Sequence, residues 1–407
     1  MLLLLACAGS SDTKAPPADD SAPADDTGTA DWSGVQEILE ANCLSCHYDG
    51  GPASISLASW EAAAAMADAI AAVTASRAMP PYLVDASGEC GEWEDPPALT
   101  DEQIQLLADW AAAGAPLGKG TFAIPERPTL EPDWTADIGG DYTPSAEGVD
   151  DFRCFLLDRS DRGAEYVTGF DLLPTSLEQT HHVTIMKLND AEALTVAEAR
   201  DAAEDRLGWS CTTPPVDLAT PLAIWHTGME PLTMPEGTGL AMDAGMPILL
   251  YTHYYTAEGV VTDHTEIQLT LADTVEHPAR MPAFQAPNFE LEPGQAWVSH
   301  SETIPLSDLD FTADTRIFGS APHMHARGTE LEVTLHEPSG DRCLVRTTVW
   351  DYHQQRMFFY AEPFSVDPAS TGEITCTWNT MDDTEPVESG VSAWQEMCLS
   401  ALFVTDG

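Results

Sequence analysis

Beyond residue 130 the chain is written in short runs that alternate apolar and polar residues, and this alternation constrains its fold more than any other feature. Thr265-Glu266-Ile267-Gln268-Leu269-Thr270-Leu271 and Leu331-Glu332-Val333-Thr334-Leu335 each place their apolar side chains on one face, as half-buried antiparallel strands do. The runs 182–188 and 247–255 are further strand candidates. Many short strands in succession predict all-β jelly-roll-type sandwiches, one over residues 130–284 and one over 285–407. Pro125, Pro128 and Pro132 mark a linker ahead of them, and Ala286-Pro287-Asn288-Phe289 with Pro293-Gly294-Gln295 is the best place for a break between them.

Residues 31–122 read differently. The segment is Ala-rich, with helical spacing in Val35-Ile38-Leu39 and in Ile104-Leu107-Trp110-Ala111, a capping box at Thr100–Gln103 and a stop at Gly114. It predicts a small all-α module. Inside it, Cys43-Leu44-Ser45-Cys46-His47 has the spacing by which two thiols bond a haem covalently and the next histidine ligates its iron. A zinc site is the plainer rival, but it needs more ligands, and Cys90 is the only cysteine or histidine between residues 48 and 120. Met79, in the proline-stiffened Ala78-Met79-Pro80-Pro81-Tyr82, is the candidate second axial ligand, with Met66 next; a gap-filling core methionine is the plain alternative. The motif, the methionine loop and the helix after it resemble the small cytochromes c, which implies haem c in a cytochrome c-like domain. The expected architecture is therefore multidomain, a small all-α cytochrome c-like domain followed by two all-β sandwiches.

The charge balance removes some function classes. With 67 Asp and Glu against 16 Lys and Arg, the formal net charge of -51 repels nucleic acid and anionic lipid headgroups. Residues 1–7, Met1-Leu2-Leu3-Leu4-Leu5-Ala6-Cys7, resemble the end of a bacterial lipoprotein signal and imply a lipidated Cys7, although the run is too short to span a bilayer. Residues 8–30, rich in Asp, Ala, Pro, Ser and Thr, read as a disordered acidic linker. The expectation is an exported protein in the periplasm, the outer membrane or at the cell surface of a bacterium, touching membrane only through its lipid. Nine cysteines suit that setting. Besides Cys7, Cys43 and Cys46 there remain Cys90, Cys154, Cys211, Cys343, Cys376 and Cys398, enough for three disulfides whose pairing spacing does not fix.

Histidine is concentrated in predicted strands, at Thr180-His181-His182, Thr252-His253-Tyr254 and Pro322-His323-Met324-His325, with Met397-Cys398 following near the C-terminus. In a strand His323 and His325 project to one face and can grip one ion, whereas Met324 points away. Adjacent His181 and His182 point to opposite faces unless a strand end or bulge intervenes. A single histidine is more often structural than ligating. Three clusters together favour a metal, and imidazole with thioether is a donor set suited to copper.

These motifs resemble the copper type II ascorbate-dependent monooxygenases, which include peptidylglycine α-hydroxylating and dopamine β-monooxygenases. The resemblance spans about residues 130–407 and rests on the His-His pair, Leu250-Tyr251-Thr252-His253-Tyr254, the His-x-His and Glu396-Met397-Cys398. It implies two copper ions facing each other across an open, solvent-filled gap. His181, His182 and His253 would hold the electron-transfer copper. His323, His325 and Met397 would hold the copper that binds dioxygen and hydroxylates the substrate. It also implies disulfides Cys154 to Cys211 and Cys376 to Cys398, leaving Cys90 and Cys343 either to bridge the haem module to a sandwich or to stay as thiols. Where the peptide-amidating members carry an arginine and a tyrosine, this chain has Ala321 and Ala401, which removes the anchors for a peptide carboxylate. His226 and Met229 match no family ligand and read as structural.

The expected function is thus an exported copper-dependent monooxygenase acting on an organic small molecule with dioxygen. Its electrons would come from an ascorbate-like reductant or from a redox protein through the haem. The alternative is a non-catalytic haem and copper protein that transfers electrons or binds copper at the surface.

Overall fold

A computed structural model describes residues 32–407 apart from 95–98, 146–147, 258, 348, 353 and 393. Cys7, the lipoprotein-type segment 1–7 and the linker 8–30 lie outside the described residues. Among those described the chain is mostly β, with five α-helices: α1 (Trp32–Asn42), α2 (Trp60–Ala65), α3 (Ala67–Ala75), α4 (Asp101–Ala112) and α5 (Ala191–Asp201).

A ten-stranded sheet runs the length of the β region. Its main path is Trp134–Asp137, Glu266–Ala272, Glu165–Leu173, Thr238–Met242, His277–Arg280, Leu399–Asp406, Thr315–His323 and Phe358–Ser365. His277–Arg280 is the seam. It pairs in parallel with Thr238–Met242 on one side and antiparallel with Leu399–Asp406 on the other, so strands from both halves belong to one ladder.

Two smaller sheets pack on this one. A five-stranded sheet, ordered Trp209–Ser210, Asp150–Leu157, Ile248–Tyr255, Thr180–Leu188 and Ala219–His226, covers the first half. Between the layers lies a core that includes Phe155, Ile185, Trp225, Leu250, Ile267 and Leu269. A four-stranded sheet, ordered Val298–Pro305, Thr371–Trp378, Gly328–Glu337 and Gly340–Arg346, covers the second half over Phe284, Val333, Leu335, Ile374 and Trp378. Alternation explains these strands: Ile267 and Leu269 are buried while Glu266, Gln268 and Thr270 are half-exposed. Ile248–Tyr255 does not alternate because both of its faces are covered, one by the first core and one by α5 with the Cys154–Cys211 disulfide.

The expectation of a separate all-α cytochrome c-like domain ahead of two independent sandwiches fails. The helices α1 to α4 do gather a small core of Val35, Leu39, Leu44, Trp60, Leu107 and Trp110. The chain between α3 and α4, however, leaves that core and enters the second sandwich. Leu83, Val84 and Trp93 are buried there, Val84 bridges to Thr347, Trp93 bridges to Tyr360 and stacks on its ring at 4.5 Å, and Cys90 is bonded to Cys343. No distinct all-α domain is evident, because this segment completes a β-sandwich core and cannot be lifted out intact. Within the segment α4 begins as expected, on the Thr100–Gln103 capping box.

Candidate metal centre

His181 and His182 sit at the start of the strand Thr180–Leu188, where pairing with Ile248–Tyr255 slips between Thr180 and His182. The irregularity lets neighbouring side chains that would otherwise diverge turn to one side. His253, on the central strand of that sheet, is the cross-strand partner of His182. One ligand atom from each of the three imidazoles falls within 4.8 Å of the others, and His181 Nδ1 lies 3.0 Å from His182 Nδ1. The Asp150 carboxylate holds His253 Nε2 at 2.8 Å, which assigns Nδ1 of His253 to the cluster. His226, opposite His182 on the other neighbouring strand, is not one of the three.

The second set is built at the end of the strand Thr315–His323. His323 and His325 have ring centroids 5.3 Å apart. His325 Nδ1 bonds the Gln395 carbonyl oxygen at 2.8 Å, leaving Nε2 to face a metal. His323 Nδ1 is buried and has no hydrogen-bond partner among the described residues, an orphaned lone-pair donor of the kind a cation satisfies. Met397 is half-buried two residues before Leu399, the cross-strand partner of His323. Met397 and His325 thus both lie just beyond the end of that strand pair, two residues from its last partners. The Cys376–Cys398 disulfide anchors Met397 from the adjoining residue. Glu396, fully buried, accepts from the His325 and Arg327 backbone N–H groups and from Trp378 Nε1, and so fixes the backbone of both ligand segments.

The electrostatics favour neutral rings. Burial, followed by the neighbouring His253, His181, His323 and His325, pushes His182 well below the usual imidazole pKa. Burial and then His325 push His323 down to about 3. Neutral imidazoles offer lone pairs, which is the state metal binding requires. The influence of His323 and His325 on His182 also shows that the two sets sit within electrostatic reach of each other.

Cys43 and Cys46 are the free cysteines among the described residues, both half-buried, and burial followed by the nearby Cys46 thiol raises Cys43 to about 11. His47 Nδ1 bonds the Ile55 carbonyl oxygen at 2.8 Å, again leaving Nε2. Met79 stands 40% exposed and outside the helical core, whereas Met66 packs against it. The motif lies close to the turn that follows His226, for a Cβ added to Gly228 would stand 3.2 Å from Cys46 Sγ. Next to Gly228, Thr227 donates its N–H to the His181 carbonyl oxygen and its hydroxyl to that of Thr180.

Residues 293–404 match the family model of the copper type II ascorbate-dependent monooxygenase C-terminal domain. The matched segment contains His323, His325 and Met397, and the match supports copper-dependent monooxygenase activity in general. No curated protein matches the chain. Solved structures similar to it include that of infectious bursal disease virus Gx strain, at 9% identity over 68% of this chain and 73% of that chain with a TM-score of 0.17. Another is the infectious bursal disease virus VP2 subviral particle, at 12% identity over 70% and 74% with the same score. Overlap that slight carries no argument about this molecule.

Asp150, Tyr352, Gln355 and Glu396 are the residues at this centre that sequence reasoning missed as contributors. Glu396 adjoined a motif methionine, but nothing in periodicity or spacing marks the other three.

Proposed function

We propose that the protein is an exported monooxygenase that hydroxylates a C–H bond of a small organic molecule, with copper held by His181, His182 and His253 and by His323, His325 and Met397. The observation that carries this reading is the gathering of imidazoles into two sets, with His182, His323 and His325 held toward the neutral form by burial and the second set inside the matched segment. Copper bound there supplies one-electron redox chemistry and the activation of dioxygen. The protein holds the imidazoles neutral, fixes ring orientation through Asp150 and the Gln395 carbonyl, and presents a soft thioether at Met397. Ala321 and Ala401 are cross-strand partners, so the positions at which peptide-amidating relatives place their two anchors adjoin here as two methyl groups. That favours a substrate without a carboxylate at this point. Three disulfides support an oxidising, exported setting.

Haem on Cys43 and Cys46, ligated by His47, is the proposed electron inlet. The closeness of Cys46 to Gly228, and the hydrogen bond from the adjoining Thr227 to the His181 carbonyl, support this route to the first copper. The test is metal content, visible spectrum and oxygen uptake on protein matured where c-type haem is attached. Met397→Ala should abolish hydroxylation with ascorbate while the His181 cluster keeps its copper. His47→Ala should abolish turnover driven by a redox-protein donor and spare turnover with ascorbate. Unchanged hydroxylation in the first variant overturns the ligand assignment, and equal loss with both donors in the second overturns the inlet.

A further inference from the structure

Trp350, Tyr352 and Gln355 lie beyond the strand Gly340–Arg346 of the second sandwich, yet between them they approach both imidazole sets. Trp350 Nε1 donates to the His325 carbonyl oxygen at 3.1 Å. The Tyr352 ring lies 5.7 Å from that of His181 and 6.3 Å from that of His182, centroid to centroid. Gln355 is buried, its Nε2 donates to the Tyr352 carbonyl oxygen at 2.8 Å, and its Oε1 has no hydrogen-bond partner although it stands by His323. Tyr352 thus stands at the first set, and Gln355, bonded to its carbonyl, stands at the second.

The sequence resemblance implies an open, solvent-filled gap at this place. In this chain Tyr352 lies beside the first set and Gln355, hydrogen-bonded to it, lies beside His323. We propose that Tyr352 and Gln355 are positioning residues that bridge the two metal sets and carry the electron between them, along His181 or His182, the Tyr352 ring, the Tyr352 carbonyl, the Gln355 carboxamide and His323. The proposal rests on the copper reading above. With copper bound at both sets, one electron would pass from the first to the second, ascorbate being the ultimate donor, and no bond or proton would change hands.

The experiment uses the full chain loaded with copper and compares the wild type with Tyr352→Phe, Tyr352→Ala and Gln355→Ala. Copper content and the cupric electron paramagnetic resonance spectrum report the sites themselves, and rapid mixing of reduced protein with dioxygen reports transfer between them in a single turnover. The expected result is unchanged copper content throughout, wild-type transfer in Tyr352→Phe, and transfer slowed by about 10-fold or more in Tyr352→Ala and in Gln355→Ala. Wild-type transfer in Tyr352→Ala with both sites filled overturns the bridge and leaves the copper reading standing. Loss of copper from either set in Tyr352→Phe also overturns it, since that variant keeps the bridging ring. A wild type that takes up no copper fails the copper reading and the bridge together, and metal analysis shows that before any variant is made.

Discussion

A carboxylate on the far nitrogen of a ligand histidine decides which nitrogen faces the ion and how basic it is. At His253 that carboxylate is Asp150, 103 residues away in sequence, on the neighbouring strand. Asp150→Ala should lower copper affinity at the His181 cluster by about 10- to 100-fold and leave the His323 set filled, as read by competition with a chelator. Equal affinity in variant and wild type would show that the strand alone orients the ring. The candidate ligands themselves were legible from sequence because histidine in a strand is rarely clustered without a reason. Their orienting partners were not, since an aspartate in a chain with 67 acidic residues carries no local mark.

Among the elements, the strands announced themselves by alternation wherever one face meets a core, and Thr100 with Gln103 announced α4 by capping chemistry. The slip between Thr180 and His182 was legible only as a requirement, because two adjacent histidines cannot share an ion on a regular strand. The strand leading out of Met397 depends on a covalent tie, as Cys376 and Cys398 are 22 residues apart and both buried in the second core. Replacing both by alanine should cost about 3 kcal/mol from loop entropy. It should also weaken copper binding at His323 and His325, because Met397 then lies beside an untethered strand start. Denaturant melts and a copper titration check the two effects, and an unchanged titration would show that strand pairing suffices to place the methionine.

At the scale of the whole molecule, the segment between α3 and α4 ties the helices to the second sandwich. Trp93 is buried between Phe358 and Tyr360, and Cys90 is bonded to a residue 253 positions later. Trp93→Ala should cost about 3 to 5 kcal/mol and lower the melting of the entire β region. A separate early transition confined to the helices, with the β region unmoved in calorimetry, would contradict that coupling. The sequence by itself determined the strand content, the cap of α4, the metal-capable histidines and the two thiols with their following histidine, because each is a local pattern of side-chain chemistry. Only the tertiary structure decided that one sheet spans both halves and that the 82–94 segment completes a distant core. It also set Cys46 near Gly228 and brought Tyr352 to the rings of His181 and His182. Those depend on which surfaces bury each other, and burial between residues hundreds of positions apart leaves no period in the chain.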